Sequence, residues 1–415
     1  VQNDRIKSEL FEEYGVKKGL RDLDGHGVLT GLTNISHVMG FKTVDGKQVP
    51  CDGELLYRGY DVTELVKGCI GNRYIFEEGA YLLLFGQLPT KEQLSEFENV
   101  LYQCMTLPKN FTREVIMKAS SSDIMNSMTR SILTLASYDS QRDNLDLDNV
   151  LRQCLQLIGL FPMLAVYGYH AYNHYDNDGS MYIHRPKPNL SLAENLLQML
   201  RPDMKFTDLE AQVLDIALLL HMEHGGGNNS TFTTHVVTSS GTDTYSCMAA
   251  ALASLKGPKH GGANIKVIRM FEDMKEQVKD WKDEDEVRHY LQALLDKQAF
   301  DKAGLIYGMG HAIYTLSDPR AVLLKRFARS LAETKGMLDE FELFERVERL
   351  TPEVLRTVKG EEKVVCANVD LFSGLVYKMM GIPMELYTPL FAVARMVGWC
   401  AHRMEEVEFA NRIIR

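Results

Sequence analysis

Pro389-Leu-Phe-Ala-Val-Ala-Arg395-Met-Val-Gly-Trp-Cys-Ala401 is apolar on every side of a helical period except at one guanidinium. A helix hydrophobic all round is a buried helix, and other elements must surround it. The stretch therefore points to a mainly α-helical fold, and it raises a chemical question inside that fold. A buried guanidinium requires an anion, either an internal Asp or Glu or a substrate carboxylate held in a bidentate fork.

The long segments on either side carry helical rather than alternating apolar spacing, with glycine as the main punctuation. Thr207-Asp-Leu-Glu210 and Ser191-Leu-Ala-Glu194 read as capping boxes. Asp318-Pro319 and Thr388-Pro389 place a capping side chain before a proline at the first helical position. Gly257-Pro258 and Gly381-Ile-Pro383 read as stops. The first sixty residues differ: segments 27–36 and 54–60 are β-branched or aromatic and are separated by glycine and Asp-Gly turns, which predicts a small N-terminal β region. Residues 173–189 read as a polar loop between helices. Residues 243–255, with four alanines, read as a helix packed closely in the core or in a dimer interface.

At 415 residues and 45% hydrophobic, the chain can bury a substantial core in two domains or in one large domain with an excursion. A net charge of -10 argues against binding to nucleic acid or an anionic membrane, yet allows a local basic pocket for a small anion. The cysteines at 51, 69, 104, 154, 247, 366 and 400 form no C-x-x-C pair and read as reduced core thiols. Val1-Gln-Asn-Asp-Arg-Ile-Lys7 does not read as a signal peptide, no uncharged apolar run is expected to reach the ~18 residues a bilayer demands, and a cytoplasmic address is expected.

Histidines sit beside glycine in three places: His224 in His221-Met-Glu-His224-Gly-Gly-Gly, His260 in Gly257-Pro-Lys-His260-Gly-Gly-Ala-Asn264, and His311 in Gly308-Met-Gly-His311-Ala-Ile-Tyr314. Glycine lets a ligand or a backbone come close. His260 immediately precedes a predicted helix, whose N-terminus disfavours imidazolium. A neutral imidazole there can donate one hydrogen bond to a carbonyl oxygen as charge develops on it, or it can simply cap the turn. Asp370, in Cys366-Ala-Asn-Val-Asp370-Leu-Phe-Ser-Gly374, is an acid in an otherwise uncharged stretch and reads either as a helix N-cap or as a base strengthened by burial. Arg320 follows Asp318-Pro319 in a first helical turn and reads as an anion ligand or as a solvated or Asp-paired surface arginine.

Other chemistries fit poorly. His221 and His224 share neither H-E-x-x-H nor H-x-x-E-H spacing, so no metal is expected. Gly225-Gly-Gly lacks the Lys-Ser/Thr of a phosphate loop, the glycines before His311 lack a dinucleotide fingerprint, and no G-x-S-x-G elbow occurs.

These blocks, taken in order with Leu55-Leu-Tyr-Arg-Gly-Tyr-Asp61 and Asn368-Val-Asp370, resemble the citrate and 2-methylcitrate synthase family over nearly the whole chain. The resemblance implies a citrate-synthase-like, mainly helical homodimer. Each subunit would have a large domain, 1–262 with 382–415, a small domain, 263–381, and a cleft between them whose closure makes the acyl-CoA site.

By position, Asp370 matches the base that deprotonates acetyl-CoA, and His260 the donor to the thioester oxygen. His311 matches the group polarising the ketone of oxaloacetate, and His224, Arg320 and Arg395 its carboxylate and carbonyl ligands, with Phe391 in contact nearby. Arg415 matches an arginine reaching the partner subunit's site. Thr315 stands where some relatives carry a basic residue toward CoA. The implied reaction makes citrate and CoA from acetyl-CoA, oxaloacetate and water, with acyl-CoA as substrate and no cofactor. Propionyl-CoA, giving 2-methylcitrate, is the near alternative, and a non-catalytic dicarboxylate sensor of the same fold the distant one.

Overall fold

A computed structural model of the chain describes residues 7, 9–17, 19–22, 27–68, 73–360, 364–409 and 412–415. Cys69 and residues 1–6 lie outside the described residues. The chain divides into two compact units, Val1–Asn34 and Ile35–Arg415. In the first, the described residues hold one short helix, α1 (Glu9–Glu13), and a single bridge between Arg21 and Gly27.

The second unit opens with an antiparallel sheet of β1 (Ser36–Val44), β2 (Lys47–Tyr57) and β3 (Tyr60–Asp61) in that order. Helices follow: α2 (Val62–Gly68), α3 (Ile75–Phe85), α4 (Lys91–Cys104), α5 (Ile124–Leu135), α6 (Leu147–Asp176), α7 (Leu192–Leu200), α8 (Asp208–His221), α9 (Asn229–Ser239) and α10 (Thr244–Leu255). The rest are α11 (Ala263–Gln277), α12 (Glu284–Leu295), α13 (Pro319–Lys335), α14 (Leu338–Lys359), α15 (Asp370–Met379) and α16 (Tyr387–Phe409). The expected helical class and small β region are both present. The strands, however, begin at Ser36 rather than at residue 27. Val44 pairs with Lys47 around Asp45 (φ 50°) and Gly46 (φ 76°), a two-residue turn whose left-handed backbone suits the strand twist.

Helix α16 is the buried centre that its sequence implies: Tyr387 to Arg403 are all buried, and α6, α9, α8 and α3 pack around it. The capping boxes at Ser191 and Thr207 and the Asp318 cap before Pro319 form as read. Thr388 is different. A 3-10 turn at Met384–Leu386 feeds the helix from further upstream, so Thr388 lies inside the first turn and its hydroxyl donates to the Gly261 carbonyl at 3.2 Å. The loop expected from residue 173 begins at 177, because α6 runs on to Asp176.

Helix α6 also corrects the expectation about apolar runs. It is 30 residues long, and an 18-residue window with mean hydropathy 1.4 meets the length and composition needed to cross a bilayer. That window is 78% buried by protein, which identifies α6 as a core helix whose apolar faces other helices cover. The six described cysteines are unbridged, four of them buried. In the segment 263–381, α11, α13 and α14 pack on α15 and α12 on α14, while α13 also meets α8, α2 and β2.

Candidate active site

Three histidine loops and the starts of two helices converge beside the middle of α16. His224 follows the end of α8, whose last residue is His221. His260 lies two residues before the Gly262 cap of α11, Arg320 sits in the first turn of α13, and Asp370 opens α15. The loops of His311 and Asp370 are laced together: Gly310 N–H donates to the Cys366 carbonyl (2.8 Å), Asn368 N–H to Gly308 (2.9 Å), and Asn368 Nδ2 to Gly310 (2.9 Å). Gly308 (φ 85°) permits this, since a Cβ there would lie 2.8 Å from the Leu371 side chain. Gly53 of β2 lets the sheet press on the same loop; a Cβ there would lie 2.6 Å from the Tyr314 ring.

Hydrogen bonds fix the state of two imidazoles. His311 Nδ1 accepts the backbone N–H groups of Ile313 and Tyr314, both at 3.1 Å, so the neutral ring carries its proton on Nε2. His260 Nε2 accepts the Ser230 backbone N–H at 3.3 Å, with Ser230 Oγ at 2.8 Å, so that ring carries its proton on Nδ1. Burial, then Arg320, pushes His311 down to about 4, and burial, then Arg395, does the same to His260. His224 is held well below its usual range by burial, Arg320, His311 and Arg395. All three are neutral donors near pH 7. The rings of His224 and His311 meet edge to face, 5.1 Å between centroids.

Asp370 is not the N-cap of α15. Val369 occupies that position, and the Asp370 N–H is satisfied by Asn368 Oδ1 at 3.0 Å. Its carboxyl is raised to about 6, chiefly by burial and further by Asp318, against the pull of Arg320 and Arg395. Arg320 is buried and forked onto Asp318, Nε to Oδ1 at 3.0 Å and Nη2 to Oδ2 at 2.8 Å, so it is neither solvated nor on the surface. Arg395 is 1% exposed, donates Nε to the His221 carbonyl at 2.9 Å and lies over the Phe391 ring at 4.8 Å. Among the described residues no carboxylate forms an ion pair with it, and burial lowers it to about 10 despite the nearby charge of Glu223. Phe391 also meets the rings of His221 (5.0 Å) and His260 (6.3 Å). Arg415 stands apart, exposed at the chain end with no hydrogen bond or ion pair to a described residue.

Sequence reading missed the residues that orient this set. The Tyr314 hydroxyl lies 3.2 Å from His224 Nε2 and 3.3 Å from the Glu54 carbonyl, so it can accept from the imidazole while donating to the strand, and its ring stacks on His311 at 4.7 Å. Trp399 Nε1 donates to Ser230 Oγ at 3.2 Å and so steadies the hydroxyl beside His260. Tyr314 closes the quoted His311 block, where a signal for it was available; nothing local marks Ser230. A desolvated carboxylate, two arginines and three neutral imidazoles can bind a small dianion and polarise carbonyl oxygens while a carbon-bound proton is removed.

The family model described as "Citrate synthase, C-terminal domain" matches residues 23–415. A citrate synthase of Synechocystis sp. is 32% identical over 394 residues, covering 94% of this chain and 88% of the relative. A 2-methylcitrate synthase of Shewanella oneidensis is 33% identical over 367 residues, covering 87% of each. Among solved structures, the ternary complex of Thermoplasma acidophilum citrate synthase with carboxymethyl coenzyme A and oxaloacetate superposes with a TM-score of 0.76 at 28% identity, covering 94% of this chain and 92% of that one.

Proposed function

Because this chain belongs to the citrate synthase family, with which it matches over residues 23–415, we propose that the cluster around Arg395 condenses an acyl-CoA with oxaloacetate, acetyl-CoA being the preferred thioester. The chain is an acyltransferase, and the family reaction joins acetyl-CoA, oxaloacetate and water into citrate and CoA. In our reading the Asp370 carboxylate takes a methyl proton while His260 Nδ1–H donates to the thioester oxygen, giving an enol. A thioester α-proton is too weakly acidic for a carboxylate unless such a preorganised donor shares the developing charge. The enol carbon then attacks the oxaloacetate ketone, whose oxygen receives the His311 Nε2–H. Arg320, Arg395 and His224 hold the carboxylates and carbonyl of oxaloacetate against Phe391. Water finally cleaves the citryl thioester, releasing citrate and CoA.

The observation that carries this reading is the paired state of the two donors: His260 and His311 each spend one ring nitrogen on a backbone N–H and keep the other as a neutral N–H. Arg395, buried without a carboxylate partner among the described residues, supports an anionic substrate. We further place the enzyme in the tricarboxylic acid cycle, in the cytoplasm and as a homodimer whose Arg415 serves the other subunit. The six described cysteines, all unbridged, support the compartment, and the exposed Arg415 and Ala253 of α10 leave surface for a second copy. Closure of 263–381 on oxaloacetate would exclude water, and an unchanged scattering profile on adding oxaloacetate would count against it.

The experiment is steady-state CoA release with oxaloacetate and either acetyl-CoA or propionyl-CoA. A higher kcat/KM for acetyl-CoA supports the reading. Preference for propionyl-CoA makes the chain a 2-methylcitrate synthase, and turnover of neither leaves a dicarboxylate-binding protein.

A further inference from the structure

His235 of α9 and His402 of α16 lie outside the cluster just described, and their ring nitrogens are arranged in an unusual way. His402 Nε2 is 3.0 Å from Glu223 Oε1, and His235 Nδ1 is 2.7 Å from Glu406 Oε2. A carboxylate only accepts, so each imidazole donates its N–H outward. The inner nitrogens, His235 Nε2 and His402 Nδ1, then face each other at 3.0 Å. Two neutral rings would bring two lone pairs together there. The inner position calls for a cation.

The Glu405 carboxylate, which also faces the charge of Arg58, lies 3.8 Å from His402 Nδ1, and the three ligand atoms of His235, His402 and Glu405 all fall within 4.8 Å of one another. Zinc ligands about 2.0–2.1 Å from a tetrahedral ion stand about 3.4 Å apart, so an ion would widen the 3.0 Å gap between the rings slightly and draw the Glu405 carboxylate inward. Metal-bound histidines characteristically donate their other N–H to a carboxylate, and both of these do. Gly226 adds a separate observation. A Cβ built on it would lie 3.6 Å from His402 Cε1, 3.7 Å from His235 Nε2 and 3.9 Å from His402 Nδ1. Its φ is not positive and those contacts are ordinary, so neither strain nor a clash requires glycine, and its missing side chain leaves the ligand atoms uncovered on that side.

We propose that His235 Nε2, His402 Nδ1 and the Glu405 carboxylate form a site for a divalent transition metal of the zinc class, with Glu223 and Glu406 orienting the two rings. The site departs from the metal-free expectation of the sequence, because its ligands are 167 positions apart and no local motif marks them. An ion there would clamp α9 and α16 to the segment carrying His224, since Glu223 also accepts the Ser36 hydroxyl, which in turn takes the Gly225 N–H at 3.1 Å. It would act as a positioning ion, out of contact with the reacting atoms.

The test is zinc titration of the untagged full chain after chelator treatment, by calorimetry and by competition with a chromophoric chelator, with cobalt(II) as a spectroscopic probe. The expected result is one equivalent per chain and a visible cobalt band of tetrahedral type. His235→Ala should lose affinity at least ~100-fold, and Gly226→Ala, whose methyl makes only ordinary contacts with the two rings, should weaken binding while circular dichroism stays unchanged. Zinc binding no tighter in the wild type than in His235→Ala would overturn the proposal and leave a shared proton as the cation between the rings.

Discussion

Ser230 donates its backbone N–H to Nε2 of His260 across 3.3 Å, and that bond decides which imidazole nitrogen is left to act. Because the donor is main chain, Ser230→Ala preserves it and removes only the hydroxyl. CoA release by that variant should stay within about tenfold of wild type, while the orphaned Trp399 N–H lowers stability by roughly 1–3 kcal/mol. His260→Ala removes the proposed enol donor itself and should cost about 10²–10³ in kcat. Equal losses in the two variants would contradict the assigned tautomer.

The pH dependence should follow Asp370. Raised to about 6, it must be ionised to act as the proposed base, so kcat/KM for the acyl thioester should fall tenfold per unit as pH drops below about 6. His260 and His311, near 4, remain neutral through that range and add no limb of their own above it. The stability sign is the opposite of the usual carboxylate case. The native state holds the Asp370 proton more tightly than the unfolded chain, so its ionisation opposes folding above about pH 6, and this effect disappears below about 3.8. Asp370→Asn should therefore be more stable than wild type at pH 7.5, by on the order of 1–3 kcal/mol, and no more stable at pH 4. Denaturant melts of both proteins at the two pH values check this.

The two buried arginines should respond differently to the same change. Arg320→Met leaves Asp318 buried without its partner and should destabilise by ~3–5 kcal/mol. Arg395→Met removes a buried charge that has no ion pair among the described residues, and should cost no more than about 1–2 kcal/mol. Both should raise the KM for oxaloacetate at least ~30-fold. Thermal melts with and without oxaloacetate separate the effects, since ligand stabilisation should vanish in Arg395→Met even though the fold persists.

Gly53→Ala probes the seat of His311 from a distance. The added methyl would meet the Ser317 carbonyl oxygen first and then press into the Tyr314 ring, which stacks on His311 and contacts His224. Overpacking of this kind costs ~1–3 kcal/mol, and here it should also raise the oxaloacetate KM while leaving that for the acyl thioester nearly unchanged. A loss of stability with both constants intact would make Gly53 purely structural.

Local signals were legible and long-range ones were not. The caps at Ser191, Thr207 and Asp318 were readable because each is written within four residues, and the apolar circumference of α16 announced its burial. Thr388 misled because an upstream 3-10 turn had already started the helix. The strand expected from residue 27 failed because the pairing partners of β2 begin at Ser36. The histidines, Asp370 and the arginines stood out by residue type in glycine-rich or apolar settings. Glu223 and His402 did not, because their contact joins residues 179 positions apart.

The central claim is that Asp370 is the carbon base and leaves oxaloacetate to other groups. Asp370→Asn measured for both oxaloacetate binding and CoA release from acetyl-CoA tests it most directly. Binding should remain within about threefold of wild type, since Arg320, Arg395 and His224 are untouched, while CoA release falls by at least ~10³. CoA release within about tenfold of wild type would contradict the assignment.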